Sequence, residues 1–241
     1  MFLFKKKYDL IFGVGEACSC SSTLRRGNLQ IQSFPLDWLF GSTFLNRVKI
    51  LCNDFENFIR LEDMEYKGNN GIPAHLCDIY KNNYNGLTFN HDFLSGSDLN
   101  TEINEVAEKY KRRANRLLSL AKNAKTILVV WIDSPGANWV KKDNADFKEG
   151  LNLLKNKFPN AKIDLIVFEW QQGLPFKKRI KEQLSDEITK YTFDYQFHHK
   201  KKVIADYVVD EKMLLKILNN FELNLSIKEK FDNYFFKRKK K

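Results

Sequence analysis

No apolar run in the chain approaches the ~18 residues that a membrane-spanning helix needs. The longest, "TILVVWI", has the length of a strand. A secretory leader is missing as well: in "MFLFKKKYDL" the charges follow the apolar residues instead of preceding them, and no cleavable apolar region comes after. Together these absences predict a cytoplasmic protein. There are no internal repeats, no Pro- or Ser-rich linker, and no basic motif with interleaved aromatics, so a repeat array and a nucleic-acid partner are not expected. Cysteine is sparse, with four residues at positions 18, 20, 52 and 77. In a reducing compartment these read as free thiols or metal ligands rather than disulfides. The Gly13-x-Gly15 pair lacks the third glycine of a dinucleotide loop, since that place near position 18 is a cysteine, and no Lys-Ser pair follows for a phosphate loop. No cofactor is implied.

What is present describes a globular chain. Of 241 residues, 43% are apolar and 14% aromatic, with 20 phenylalanines, enough for a large aromatic-rich core. One α/β domain over residues 1–230 and a basic tail over 231–241 are expected. The net charge of +10 concentrates in "HHKKK" near residue 200 and in the tail "NYFFKRKKK". Such runs are ordinarily solvated ends. The second reading is an anionic partner, such as a nucleotide, an acidic glycan or a membrane surface, which would place the protein peripherally on the inner membrane.

Along the chain, strands and helices alternate. "DLIFGV" reads as a buried strand stopped by glycine, followed by a helix from Ala17 to about Arg26. Leu36, Leu39, Leu45 and Val48 follow at mainly helical spacing, and Asn53 or Asp54 is expected to cap a further short helix carrying Phe55, Phe58 and Ile59. "LTFNHDF" reads as a strand leaving at His91. The clearest helix opens at Ser97 or Asp98, with an inward stripe of Leu99, Ile103, Val106, Tyr110, Ala114, Leu117 and Ala121. Then come a strand "KTILVVWID", a helix from Asn144 to Phe158, a strand "AKIDLIVFEW", a helix over 176–186, a strand "KYTFDYQF" and a helix capped by Asp210. Continuous apolar strands between helices predict a three-layer, mostly parallel, doubly wound sheet with helices on both faces and a helical insertion after the first strand–helix unit.

In such a sheet ligands sit outside the carboxyl ends of the strands. Those ends carry Gly13, Gly15, Glu16 and Cys18; Asn90, His91 and Asp92; Asp133 and Ser134; Glu169; and His198 with His199. Cys18 gains most. A thiol in the first helical turn faces unpaired backbone N–H groups and the positive end of the dipole, which favour the thiolate and make cysteine nucleophilic. The two glycines would let the chain turn sharply and bring N–H groups near a substrate oxygen. His91 is the candidate base, with Asp92 or Asp133 holding its ring.

Other readings of the same residues stay open. Cys18 could be a small buried filler at a strand–helix turn. Cys18, Cys20, His75 and Cys77 supply four soft ligands in two close pairs that zinc would accept, although one-residue gaps differ from the usual spacing of structural zinc sites. Cys20 could serve as a resolving thiol or simply pack, and Cys52 reads as core. Asp37 could cap the next helix with Trp38 in the core, or reach the site near Cys18 as a third member or substrate contact. Arg25 and Arg26 could meet an anionic ligand.

"DLIFGVGEACSCSSTLRRGNLQIQSFPLDW" resembles the opening of a family of bacterial proteins labelled papain-like cysteine peptidases. Gly15, Cys18, Leu24, Arg25, Ser33, Pro35, Asp37 and Trp38 carry its Gly-x-x-Cys, Leu-Arg and Ser-x-Pro-x-Asp-Trp motifs, and His91, Asp92 and Phe93 its His-Asp-Phe motif. The resemblance spans roughly residues 8–95. It implies a cysteine–histidine hydrolase with Cys18 as nucleophile and His91 as base, acting on a peptide, ester or glycan-linked acyl group and associated with surface polysaccharide. The chain departs from papain itself, which carries glutamine before its cysteine and Gly-Ser-Cys-Trp around it; here "GEA" precedes Cys18. The competing class is a glycan- or nucleotide-binding or transferase-like protein that uses the same pocket without a covalent intermediate.

Overall fold

The computed structural model describes residues 5–133, 143–171, 173–175, 178–194 and 211–225. Ser134, His198, His199, Asp210 and the tail over 231–241 lie outside the described residues. In chain order the elements are β1 (Lys6–Tyr8), β2 (Leu10–Gly13), α1 (Ala17–Arg26), β3 (Leu39–Phe40), α2 (Phe44–Cys52), β4 (Met64–Asn69), β5 (Cys77–Asn82), β6 (Thr88–Leu94), α3 (Leu99–Asn123), β7 (Thr126–Ile132), α4 (Asn144–Lys157), β8 (Lys162–Gln171), β9 (Arg179–Gln183), β10 (Ile188–Asp194), α5 (Glu211–Leu218) and β11 (Phe221–Leu223).

The apolar runs form the centre of a five-stranded sheet of order β2-β7-β8-β10-β9. The pairs β2–β7, β7–β8 and β8–β10 are parallel, and β9 runs antiparallel to β10. Successive side chains of a strand point to opposite faces, and β7 feeds two cores accordingly. Ile127, Val129 and Trp131 join one with residues of α2, α3 and α4; Leu128, Val130 and Ile132 join the other with Cys20 and Leu24 of α1 and Leu214, Ile217 and Leu218 of α5. Helices therefore cover both faces of this sheet. β1 and β11 form a short parallel pair beside it.

Residues 39–94 depart from the expected helical insertion. Apart from α2, they build a second, four-stranded antiparallel sheet of order β3-β6-β5-β4, so the fold is mixed α/β and not mostly parallel throughout. Its strands are polar and half exposed, β4 almost wholly so, which leaves no apolar period to read. Phe89 and Phe93 of β6 and Leu87 anchor this sheet in the first core. The helix expected after Asn53 is absent because Asp54, Phe55 and Asn57 adopt left-handed backbone (φ 54°, 59° and 52°) that cannot propagate a right-handed helix. The helix expected over 176–186 is replaced by β9, an edge strand whose alternate residues face solvent.

α3 matches its apolar stripe: Ile103, Val106, Tyr110, Ala114, Leu117 and Ala121 are buried. Asp98 caps it, its carboxylate accepting from Asn100 N–H at 3.2 Å. α1 lies against β2 and β7, and the two glycines make that approach. A Cβ at Gly15 would stand 2.5 Å from Ile132 N and 2.7 Å from Ile132 O, and one at Gly13 2.6 Å from Cys20 Sγ. Close packing accounts for both glycines. Gly15→Ala should accordingly lose about 1–3 kcal/mol in urea unfolding. Gly27→Ala, whose nearest neighbour would be at 3.4 Å, should stay within about 0.5 kcal/mol of the parent.

Candidate active site

Cys18 occupies the second position of α1, directly after Ala17, which sits at φ 56°. That left-handed residue turns the chain from β2 into the helix. Glu16, at the N-cap, makes no side-chain capping bond to the first turn. From across the fold, 73 residues away in sequence, His91 brings its Nε2 to 3.7 Å from Cys18 Sγ. The two expected partners thus meet, although His91 does not leave a strand end as anticipated: it lies inside β6.

An irregularity in β6 delivers that ring. Tyr80 pairs with Phe89 and Asp78 with Phe93, so Ile79 alone stands opposite Asn90, His91 and Asp92. Such bulges bend a strand and re-aim its side chains. His91 turns to Cys18, while Asp92 accepts from Lys109 Nζ at 2.7 Å and from Tyr110 Oη at 3.0 Å, both on α3. Asp92 is therefore bonded away from the imidazole, and among the described residues no carboxylate hydrogen-bonds to the His91 ring. The structure does not bring Asp133 to that ring either. It is buried at the end of β7, its N–H bonded to Phe168 O and its carbonyl to Trp170 Nε1.

The electrostatics overturn the expected ready-made thiolate. Cys18 is 7% exposed, and burial, reinforced by the Asp92 charge, pushes its thiol up to about 11 against the opposing pull of its own backbone amide. Burial also moves His91 below its ordinary value, helped by His75 and opposed by Asp92. At neutral pH the pair is thiol and neutral imidazole, and in the tautomer protonated at Nδ1 the Nε2 atom is an acceptor for the thiol proton.

Arg25, Asp37 and Trp38 come together with one another and not at the sulfur. Arg25 stands seven residues, about 10 Å of helix, beyond Cys18. It donates to Ser33 Oγ at 2.7 Å, and its guanidinium lies 5.3 Å from the Trp38 ring centre. Asp37 caps no helix: its carboxylate accepts from Phe34 N–H at 2.7 Å and Gln30 Nε2 at 2.6 Å, closing the 30–38 loop. Burial raises it to about 6 despite those bonds. Trp38 is only half-buried.

The zinc set is not assembled. Cys20 packs under the glycines with Sγ 3.5 Å from Val130 O, and among the described residues no group of three or more His, Cys, Asp or Glu could hold a metal ion. Cys52 is half-buried instead of lying deep in the core.

One contributor escaped the sequence reading, and another was read there only as a zinc ligand. Arg47, fully buried on α2, donates to Gly15 O (2.9 Å), Leu39 O (2.7 Å) and Gly41 O (2.9 and 2.7 Å), with Leu36 O at 3.4 Å. Burial lowers it to about 10, against the pull of Glu16, and it remains charged at neutral pH. Its signal was present: Phe44, Arg47, Val48 and Leu51 share one helical face. The other is His75, whose ring stacks on His91 with centroids 6.5 Å apart. Both histidines line a cavity of about 730 Å³ between β6 and α3, with Asp92, Leu94, Glu102 and Lys109 among its other walls. That volume lies in the range of small-ligand sites.

A family model described as "Putative papain-like cysteine peptidase" matches residues 9–157, a stretch that contains both Cys18 and His91. No curated protein matches the chain, and no solved structure does. The site's support can be checked independently of any reaction: Arg47→Met strips donors from the buried carbonyls of Gly15, Leu39 and Gly41, and urea unfolding should show a loss of about 3 kcal/mol or more.

Proposed function

The chain belongs to the family described as "Putative papain-like cysteine peptidase", and from that premise we propose that it is a cysteine-dependent hydrolase whose nucleophile is Cys18 and whose general base is His91, acting on a peptide amide. The observation that carries this reading is the 3.7 Å approach of Cys18 Sγ to His91 Nε2 between two elements that nothing else in the sequence ties together.

In this reading the substrate carbonyl enters from the cavity that His91 lines. His91 Nε2 takes the thiol proton as Sγ bonds to the carbonyl carbon, so charge appears on sulfur only as it is consumed. The carbonyl oxygen becomes an oxyanion, and the N–H groups opening α1, not capped by the Glu16 side chain and at the positive end of the helix dipole, are placed to receive it. His91 then gives the proton to the departing amine, leaving a thioester on Cys18. Water, deprotonated by the same nitrogen, attacks the thioester and restores the thiol. Ester-linked and glycan-linked acyl groups would undergo the same attack, and a surface-polysaccharide substrate is one such case.

Asp92 contributes through its charge. It favours imidazolium and opposes thiolate, which suits a proton shuttle better than a standing ion pair. Lys109 holds it in place.

Carbamidomethylation by iodoacetamide, followed by mass spectrometry, tests the pair without a known substrate. Cys18 should react faster than the more exposed Cys52. His91→Ala should slow Cys18 by about 10²-fold and leave Cys52 untouched; equal rates at both thiols in the parent would refute the assignment. The pH dependence follows from the direction of the His91 shift. Its folded value lies below the ordinary 6.5, so the base is free at neutral pH and is lost only as pH falls through that lowered value. The midpoint at which the His91-dependent part of the rate is lost should fall below 6.5, and a midpoint at or above 6.5 would contradict a desolvated imidazole.

A further inference from the structure

The bulge that turns His91 toward Cys18 leaves Asn90, His91 and Asp92 without ladder partners in β5. A bulge of this kind needs something outside the ladder to hold it, because a free carbonyl lets the strand slide. The Asn90 carbonyl, one residue before His91, has such a holder: Asn70 Nδ2 donates to it at 3.0 Å. The same amide nitrogen donates to His75 O at 3.1 Å. Asn70 Oδ1 accepts from Ile72 N–H at 3.1 Å and Cys77 N–H at 3.2 Å. Both donor hydrogens and both acceptor lone pairs of one side chain are thus in use.

Those four bonds join three things. They close the 70–77 loop on itself, fix the turn that carries His75, and tie that loop to the strand irregularity immediately before His91. The Asn70 backbone N–H adds a bond to Cys77 O at 2.9 Å. The loop is in turn where the His75 ring meets the His91 ring.

We propose that Asn70 is the positioning residue of the site: its carboxamide sets the bulge at Asn90 and thereby the reach of His91 to the Cys18 sulfur. This rests on the reading of His91 as the base for Cys18. Asn70 touches neither thiol nor substrate; it acts through the backbone of its neighbour. Aspartate has the same shape but no donor, so it would set an anion against two carbonyl oxygens, and serine can keep only one of the four bonds.

The test is a double-mutant cycle on the full chain, read as the rate of Cys18 carbamidomethylation with Cys52 as the internal standard. Asn70→Asp and Asn70→Ser are made alone and together with His91→Ala, and a thermal melt establishes that each is folded. With His91 present, Asn70→Asp should slow Cys18 by about tenfold and Asn70→Ser by less, as expected for a misplaced general base. In the His91→Ala background the same changes should alter the rate by less than about twofold. Cys52 should not respond to any of them. Should Asn70→Asp fail to fold, the Asn70→Ser pair alone decides. Folded Asn70 variants that keep the parent rate, or that slow Cys18 equally with and without His91, would overturn the proposal. If His91→Ala slows Cys18 while Asn70 variants do not, only the positioning role falls. If His91→Ala leaves Cys18 unchanged, the base assignment fails and this inference fails with it.

Discussion

A single buried guanidinium holds the ground on which the site stands. Arg47 reaches from α2 into the space between the first strand–helix turn and the loop that follows α1, and binds carbonyls from both. The carbonyl of Gly15 belongs to the segment that ends in Cys18, so the turn that carries this thiol is anchored from behind by a charge that water cannot reach. Carbonyls that converge without a shared donor would repel one another, and helix dipoles would not correct that. A planar five-donor group in a fixed geometry satisfies several of them at once, which an ammonium cannot do. The Glu16 carboxylate, close enough to favour the charged guanidinium, lets that positive charge remain in the interior.

With the turn anchored, the chemistry is set by dehydration more than by the helix dipole. A dipole's half charge favours thiolate by a modest amount, whereas withdrawing a thiol almost fully from water opposes ionisation more strongly. Burial wins at Cys18. The same burial lowers the affinity of His91 for a proton, so both groups rest uncharged at neutral pH. Asp92 sits next to His91 in sequence yet faces Lys109 and Tyr110, which keeps its charge nearby without bonding it to the ring.

The parts of the fold built from continuous apolar runs were legible from the residues alone. β2, β7 and β8 and helices α1, α3 and α4 stand where glycine stops, capping aspartates and 3.6-residue stripes place them. Cys18 and His91 were legible too, the first from its place at a helix start. His91 was chosen for a reason that does not hold, since it lies within a strand of the second sheet. Of that sheet only β6 was legible, as "LTFNHDF"; β3, β4 and β5 were missed because they are short or mostly polar and the turns between them carry Asn and Gly in no helical or alternating period. Asp37 and Arg25 make their hydrogen bonds within the 30–38 segment, and a buried carboxylate looks the same in sequence whether it serves a loop or a substrate. Arg47 showed a signal, a cation on an apolar helical face, that reads as function only once its carbonyl partners are known. Asn70 showed none.

Cys18, in the helix after β2, and His91, on β6 of the second sheet, are separated by 73 residues, and β2 finds its neighbour β7 more than a hundred residues downstream, where Leu10 pairs with Ile127. Contacts so distant along the chain form late, after local hairpins and helices have collapsed. The Cys18–His91 contact exists only where both sheets have formed and docked, so a copy in which they part has lost it.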